Sequence, residues 1–168
     1  MLPVVLPLLQ SRRIELRPMV HSDAYELFDI YGDAFVMKFT DEKPFENLAT
    51  VSLMLKSISR LLLEGKSLEW GVVIKETGTL VGTCGLHSFN ALLQSAEVGC
   101  MLKSACWGRG YMKEAVSILA IYAKDDLKLK ELTADVHSEN ERAQRMFANL
   151  GFRRDSPELW RLGLTSQS

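Results

Sequence analysis

Apolar and polar positions change their rhythm several times along this chain, and each rhythm predicts an element. "RRIELRP" alternates, with Ile14 and Leu16 set between charged neighbours up to Pro18. Period two means a strand with one buried face, here of about six residues. Ser22 is predicted to cap a helix running to about Tyr31, with Asp23 in its first turn. Leu48, Val51, Leu55, Ile58 and Leu62 recur at three- and four-residue spacing, which predicts a helix over 47–64 that stops at Gly65. "LEWGVVIKETGTLVGTCGL" reads as a hairpin turning at Thr77-Gly78, and "SAEVGCML" as a further strand. From about Gly110 to Asp126, Ala115, Ile118, Leu119 and Tyr122 share one helical face. "ELTADVH" is a strand, "ENERAQRMFANLGF" a helix ended by Gly151, and "FRRD" with "ELWRLGL" a short closing hairpin.

The predicted order is strand, two helices, three strands, helix, strand, helix, two strands. Antiparallel strands come first and a strand–helix–strand crossover follows, which is an α+β arrangement: a mixed sheet with helices on both faces. The 168 residues suit a single domain, 1–168. Residues 1–10 read as an extended lead-in and 165–168 as a frayed tail. The opening "MLPVVLPLLQSRR" is short, is broken by Pro3 and Pro7, and carries its charges after the apolar run, so it is neither a signal peptide nor a membrane span.

Composition changes the picture only by exclusion. The net charge of −1 gives no electrostatic footprint for nucleic acid. Cys84, Cys100 and Cys106 lack metal-ligand spacing and cannot all pair, which fits reduced thiols in a cytoplasmic protein with no metal.

The candidate chemistry lies in "CWGRGYM", where Gly108 and Gly110 flank Arg109 at the mouth of a helix. A helix start offers free N–H groups and the positive end of a dipole, and glycines let an anion approach the backbone. A pyrophosphate fits, and so does a plain turn. The dinucleotide pattern G-x-G-x-x-G fails because residue 113 is Lys, and no GxxxxGK[ST] loop is present.

"WGRGYMKEA", followed by "NERAQRMFANLGF", resembles the GNAT acyltransferases. "SRRIELRP", "LVGTCGL" and "AEVGCML" place the likeness near the RimJ/RimL-like branch, whose members acetylate ribosomal-protein N-termini, other peptide amines or small amines. The likeness runs from about residue 8 to residue 164. It implies a mostly antiparallel, seven-stranded sheet splayed near its fourth strand, with about four helices on its two faces. It implies acetyl-CoA as cofactor, with pyrophosphate on the amides of residues 108–113, that is Gly108, Arg109, Gly110, Tyr111, Met112 and Lys113, beside Trp107. It also implies a bulge at Gly99, Cys100, Met101 and Leu102, where the pantetheine arm adds like a strand. Trp107 stands where the family often has Gln or Arg, and Met112 where a small residue is usual and could crowd the loop.

Acetyl transfer to an amine needs a neutral nucleophile, a donor for the developing oxyanion, contact between the reactants and a way to protonate the departing thiolate. Glu97, beside the expected splay, is the favoured base, with Asp135 and His137 as alternatives. A backbone N–H of Met101 or Leu102 is the expected oxyanion donor. Asn140 matches the family Asn that opens the last helix and touches pantetheine, and it also suits a plain N-cap. Phe147 is expected at the coenzyme. The positions where the family carries a Ser or Tyr acid hold Ala143 and Phe147. Three readings stay open: an unassisted thiolate, a donor such as Ser138, Tyr111 or Cys100, or a chain that binds acetyl-CoA without turning it over.

The acceptor is expected between the first helices and the closing hairpin. Asp41, Glu42 and Glu46, with Glu69 and Trp70, make an acidic, partly aromatic rim there that suits a cationic amine, either a protein or peptide N-terminus or a small amine. The resemblance brings in a homodimer as an option, and nothing points to nucleic acid or membrane as a partner.

Overall fold

The computed structural model describes residues 2–164. The expected frayed tail, 165–168, lies outside them. The chain runs β1 (Leu9–Gln10), β2 (Ile14–Arg17), α1 (Ala24–Tyr31), α2 (Ala34–Met37), α3 (Leu48–Leu63), β3 (Ser67–Ile74), β4 (Thr79–Asn90), β5 (Ser95–Leu102), α4 (Tyr111–Asp125), β6 (Glu131–Asp135), α5 (Glu141–Asn149), β7 (Arg153–Arg154) and β8 (Leu159–Gly163). The strands form one sheet in the order β1-β2-β3-β4-β5-β6-β8-β7, antiparallel except for β5 beside β6. This is the mixed, mostly antiparallel sheet the pattern predicts. It holds eight strands, because the lead-in adds β1 against β2, and a fifth helix, the four-residue α2.

Two hydrophobic clusters sandwich the sheet. One packs β2–β6 against α4 and α5 through Leu16, Trp70, Leu86, Leu119, Leu132 and Phe147. The other packs α1 and α3 through Leu27, Ile30, Val51, Val73 and Leu80. α4 forms because Met112, Ala115, Val116, Leu119, Tyr122 and Ala123 fall on one stripe, all buried. α3 carries the predicted stripe, but only Val51 is fully buried, and Leu55 and Ile58 keep part of their surface.

Ser22 does not cap the first helix. It lies in a 3₁₀ turn, His21–Asp23, and Asp23 fixes the entry instead. The Asp23 carboxylate accepts from Val20 N–H at 2.8 Å and from both Arg17 terminal nitrogens at 2.9 and 2.8 Å. Burial alone would raise its pKa, and those partners hold it below the usual carboxylate value.

Candidate active site

The loop before α4 is shaped by two left-handed glycines, Gly108 at φ +80° and Gly110 at +77°. A Cβ at Gly110 would also stand 3.3 Å from Arg13 Nη2. α4 starts directly after Gly110, with no side chain capping it. The first-turn N–H groups, Tyr111 to Lys113, therefore have no helical acceptor and point toward the open loop. Space around Gly108 is clear, with nothing within 4 Å of where a Cβ would be. A cradle of bare backbone at a helix N-terminus fits an anion, and a pyrophosphate in particular. Met112 turns its side chain inward to the core and forms part of the cavity wall beside the loop. Arg109 is exposed, and Tyr111 lies under Arg13, 4.7 Å from guanidinium to ring centroid. Neither side chain faces the cavity described next; these two residues contribute backbone.

Arg13 was not singled out in the sequence, yet it locks the loop. Its N–H and Nε donate to Glu114, each at 2.9 Å, and Nη1 donates to the Arg109 carbonyl at 3.0 Å. Ser11 donates to the same Glu114. Burial would raise the Glu114 pKa, but Ser11 and Arg13 hold it below its ordinary value.

The sheet opens beside this loop. β5 pairs with parallel β6 only from Ser95 to Val98, while on its other side it stays paired with β4 as far as Leu102. Lys103 N–H donates to Val81 on β4, so strand alternation turns the N–H groups of Leu102 and Cys100 toward the gap. The Leu102 carbonyl, on the gap side, accepts from Trp107 Nε1 at 2.9 Å. Of the two expected oxyanion donors, Leu102 has its N–H on the open side and Met101 faces β4. An extended ligand can add to such an unpaired stretch as a strand does. A cavity of about 660 Å³ fills the gap and reaches the glycine loop.

Titratable groups converge on that cavity. Glu97 and His87 are register partners across β5 and β4, with Oε2 3.2 Å from Nδ1. Ser88 Oγ lies 3.0 Å from the same nitrogen. The other ring nitrogen, Nε2, leans over Gly99, where a Cβ would sit 3.4 Å away. His87 was missed in the sequence; the signal was its place in the hairpin register opposite Glu97. His137 also lines the cavity, but Nδ1 accepts from Glu139 N–H at 3.1 Å and its ring packs on Phe39 with centroids 5.1 Å apart. Asp135 is exposed at the end of β6 and sits at the cavity edge. Asn140 caps α5, its Oδ1 accepting from Ala143 N–H at 3.1 Å, and it faces the cavity as well. Phe147 is buried against Phe152 and closes the cavity wall beside Ala143. Arg142, also unsuspected, lies over the Trp107 indole at 3.4 Å from the ring centroid. The Cys100 thiol is pushed up to about 12 by burial and by Glu69, so it holds its proton tightly.

A second cavity, about 690 Å³, lies between α3 and the sheet and shares Thr40, Asp41 and Met101 with the first. Glu69 lies on its floor, and Glu42 lines it with Asp41. Burial pushes the Glu69 carboxyl up to about 8. Trp70 is a correction. Strand alternation sends it to the opposite face, where it is fully buried, edge-on to Tyr122, and donates Nε1–H to the Pro7 carbonyl at 2.9 Å. It belongs to the core and meets no substrate. Glu46 is exposed and lines neither cavity.

Comparison with known proteins shows the family and the fold. The chain is 31% identical over 147 residues to the uncharacterized N-acetyltransferase p20 of Bacillus licheniformis, covering 88% of this chain and 83% of that one. It is 26% identical over 143 residues to the spermidine N(1)-acetyltransferase of Escherichia coli, covering 84% and 74%. Its fold matches that of Mycobacterium smegmatis RimJ in complex with CoA-disulfide at a TM-score of 0.81 and 18% identity, covering 97% and 90%. Acetyl-CoA is the coenzyme such acetyltransferases use. With residues 13–153 matching the Acetyltransferase (GNAT) domain, the chain belongs to the GNAT acetyltransferases.

Proposed function

We propose that this chain transfers an acetyl group from acetyl-CoA to a primary amine, of a protein or peptide N-terminus or of a small molecule. The observation that carries the reading is the sheet gap: it joins the glycine loop at one end to the Glu97–His87 pair at the other, within one cavity. Acetyl-CoA supplies the thioester. Gly108, Gly110 and the first-turn amides of α4 would hold its pyrophosphate, and the open backbone of β5 its pantetheine arm.

The protein's own groups then divide the work. Glu97 takes the proton that the attacking nitrogen sheds, and His87 holds that carboxylate in place. The Leu102 N–H, aimed into the gap, stabilises charge on the acyl oxygen. Asn140, its Oδ1 held by the cap, keeps an NH₂ for the coenzyme. No side chain among the described residues stands out as the acid. Ala143 and Phe147 carry no proton and Cys100 keeps its own. A thiol with an ordinary pKa near 8.5 would leave as thiolate without a protein acid and would take its proton from water. No described helix is long and apolar enough to cross a membrane, and the three cysteines are free, which supports a reducing cytoplasm as the setting.

The test is calorimetric titration of acetyl-CoA and desulfo-coenzyme A into the protein and a Gly110→Glu variant, followed by thiol release over a panel of amines. Binding lost in the variant, with amine-dependent release in the parent, is expected. Binding without release from any amine would favour a coenzyme-A sensor, and no binding would overturn both.

A further inference from the structure

Pairing between β5 and β6 ends at Val98 and Ala134, and beyond that point β6 turns to another partner, with Val136 N–H donating to the Glu158 carbonyl at 2.8 Å. The two banks of the sheet gap are thus set apart, yet one short segment touches both. It runs from Asp33 through α2 to Asp41. At its start Asp33 accepts from Ser104 Oγ at 2.6 Å, and Ser104 opens the 3₁₀ turn that follows the gap lip at Leu102. Near its end the Phe39 ring rests on His137, just past β6. His137 is itself held, since its Nδ1 accepts from Glu139 N–H and its carbonyl accepts from Gln144 Nε2.

Little else among the described residues holds this segment. α2 is about one turn long, too short to persist alone. Met37 is its buried residue, while Phe35 is 73% exposed. Asp33 serves as cap and anchor at once: Oδ1 accepts from Phe35 N–H at 2.8 Å, and Oδ2 holds Ser104. The Ser104 hydroxyl is the foremost cause keeping the Asp33 carboxyl below its ordinary pKa, so the bond is charge-assisted at neutral pH. Beside it, Lys103 Nζ makes a second tie, to Asp29 of α1 at 3.5 Å.

What the segment carries belongs to both cavities. Val36 and Phe39 line the gap cavity, Met37 lines the one under α3, and Thr40 and Asp41 line both. Thr40 Oγ1 lies 2.9 Å from the Met37 carbonyl and 3.1 Å from that of Glu42, folding the turn that presents Asp41 and Glu42 to the second cavity. A shift of the segment therefore moves both carboxylates together.

We propose that residues 33–41 are a strap through which coenzyme in the gap sets the wall of the cavity under α3, with Asp33 and Phe39 as its positioning residues. This rests on the reading that the coenzyme's arm fills the gap. A ligand that adds to β5 bonds the N–H groups of Cys100 and Leu102, and so fixes the bank that carries Ser104. The same ligand sets how far His137 stands from that bank. Both anchorages of the strap then take one position, and Asp41 and Glu42 take theirs with it. Such coupling is reciprocal, so a molecule that binds those carboxylates in that position also tightens the coenzyme.

The experiment follows hydrogen exchange of the amides of residues 35–41 with and without saturating desulfo-coenzyme A. It compares the parent with Ser104→Ala, Ser104→Thr and Phe39→Ala, and calorimetry gives the coenzyme affinity of each. We expect the coenzyme to slow exchange there by about fivefold or more in the parent and in Ser104→Thr, which keeps a hydroxyl. In Ser104→Ala and Phe39→Ala the slowing should fall below about twofold, with the affinity of Ser104→Ala within about threefold of the parent's. A purely structural anchor would speed exchange equally in free and loaded protein and leave the parent's ratio standing in Ser104→Ala, which overturns the proposal. So does a strap left unprotected in a parent that binds the coenzyme. A larger loss of affinity in Ser104→Ala would make Ser104 a coenzyme contact and overturn it too. A parent that binds no desulfo-coenzyme A overturns the coenzyme reading itself, and the strap proposal with it.

Discussion

The Arg142 guanidinium lies over the Trp107 indole, 3.4 Å from the ring centroid, while the same indole donates to the Leu102 carbonyl on β5. One aromatic ring thus ties α5, the glycine loop and the lip of the sheet gap together. Trp107→Ala should remove both contacts and weaken coenzyme A binding by about tenfold, from roughly 1–2 kcal/mol of combined interaction. Trp107→Phe keeps the stacking and should lose less. Calorimetry on both variants checks this; equal affinities for all three proteins would show that the ring does not shape the site.

Glu69 makes a prediction about stability. Its folded pKa, about 8, lies above the unfolded value of 4.5. Between those values the unfolded chain has released a proton that the native state keeps, so this group favours the native state less and less as pH rises through that window. Glu69→Gln removes the loss. The variant's Tm should match the parent's near pH 4 and exceed it at pH 8.5. Parallel Tm profiles across that range would mean the carboxyl is well solvated.

Glu114 behaves with the opposite sign. Its folded pKa is held below the ordinary 4.5 by Ser11 and Arg13 despite burial. Its contribution is therefore present above that value and fades as pH falls through the folded one. Glu114→Gln should cost about 1 kcal/mol at pH 7, because Arg13 is partly exposed, and the deficit should close toward pH 3. Denaturant titration at the two pH values measures it. A coenzyme titration should also show weaker binding, since Arg13 would no longer be held beneath the loop.

For catalysis, Glu97→Gln should lower kcat by about 10²-fold or more with little change in KM for acetyl-CoA. His87→Ala should show a smaller loss, since it removes the partner and leaves the base. A His87 variant as inactive as the Glu97 variant would shift the proton-accepting role to the imidazole.

The parts of this protein set by local pattern were legible in the sequence. α3 falls within one residue of its predicted bounds, and Gly65, Gly78 and Gly151 all take the positive φ their turns require. The glycine loop could be read because helix entry and missing side chains are neighbours in the chain. Relationships across strands could not. His87 meets Glu97 only through register, and Arg142 reaches Trp107 only because α5 folds back over the loop. Arg13 lies about a hundred positions from the Glu114 it holds. Trp70 was misplaced because a neighbour in sequence, Glu69, points the other way, and the face each occupies depends on which helices cover the sheet.

A strand lacking a neighbour usually sits at the rim, where a foreign chain can dock on it and begin an aggregate. Here the bare stretch of β5 lies mid-sheet, with β6 and the α4 loop on either side of the opening. A slot of that kind, flanked within its own sheet, leaves no free rim for a second sheet to join. On the proposed reading the coenzyme's arm fills that slot, so the sheet would be completed afresh in every catalytic cycle.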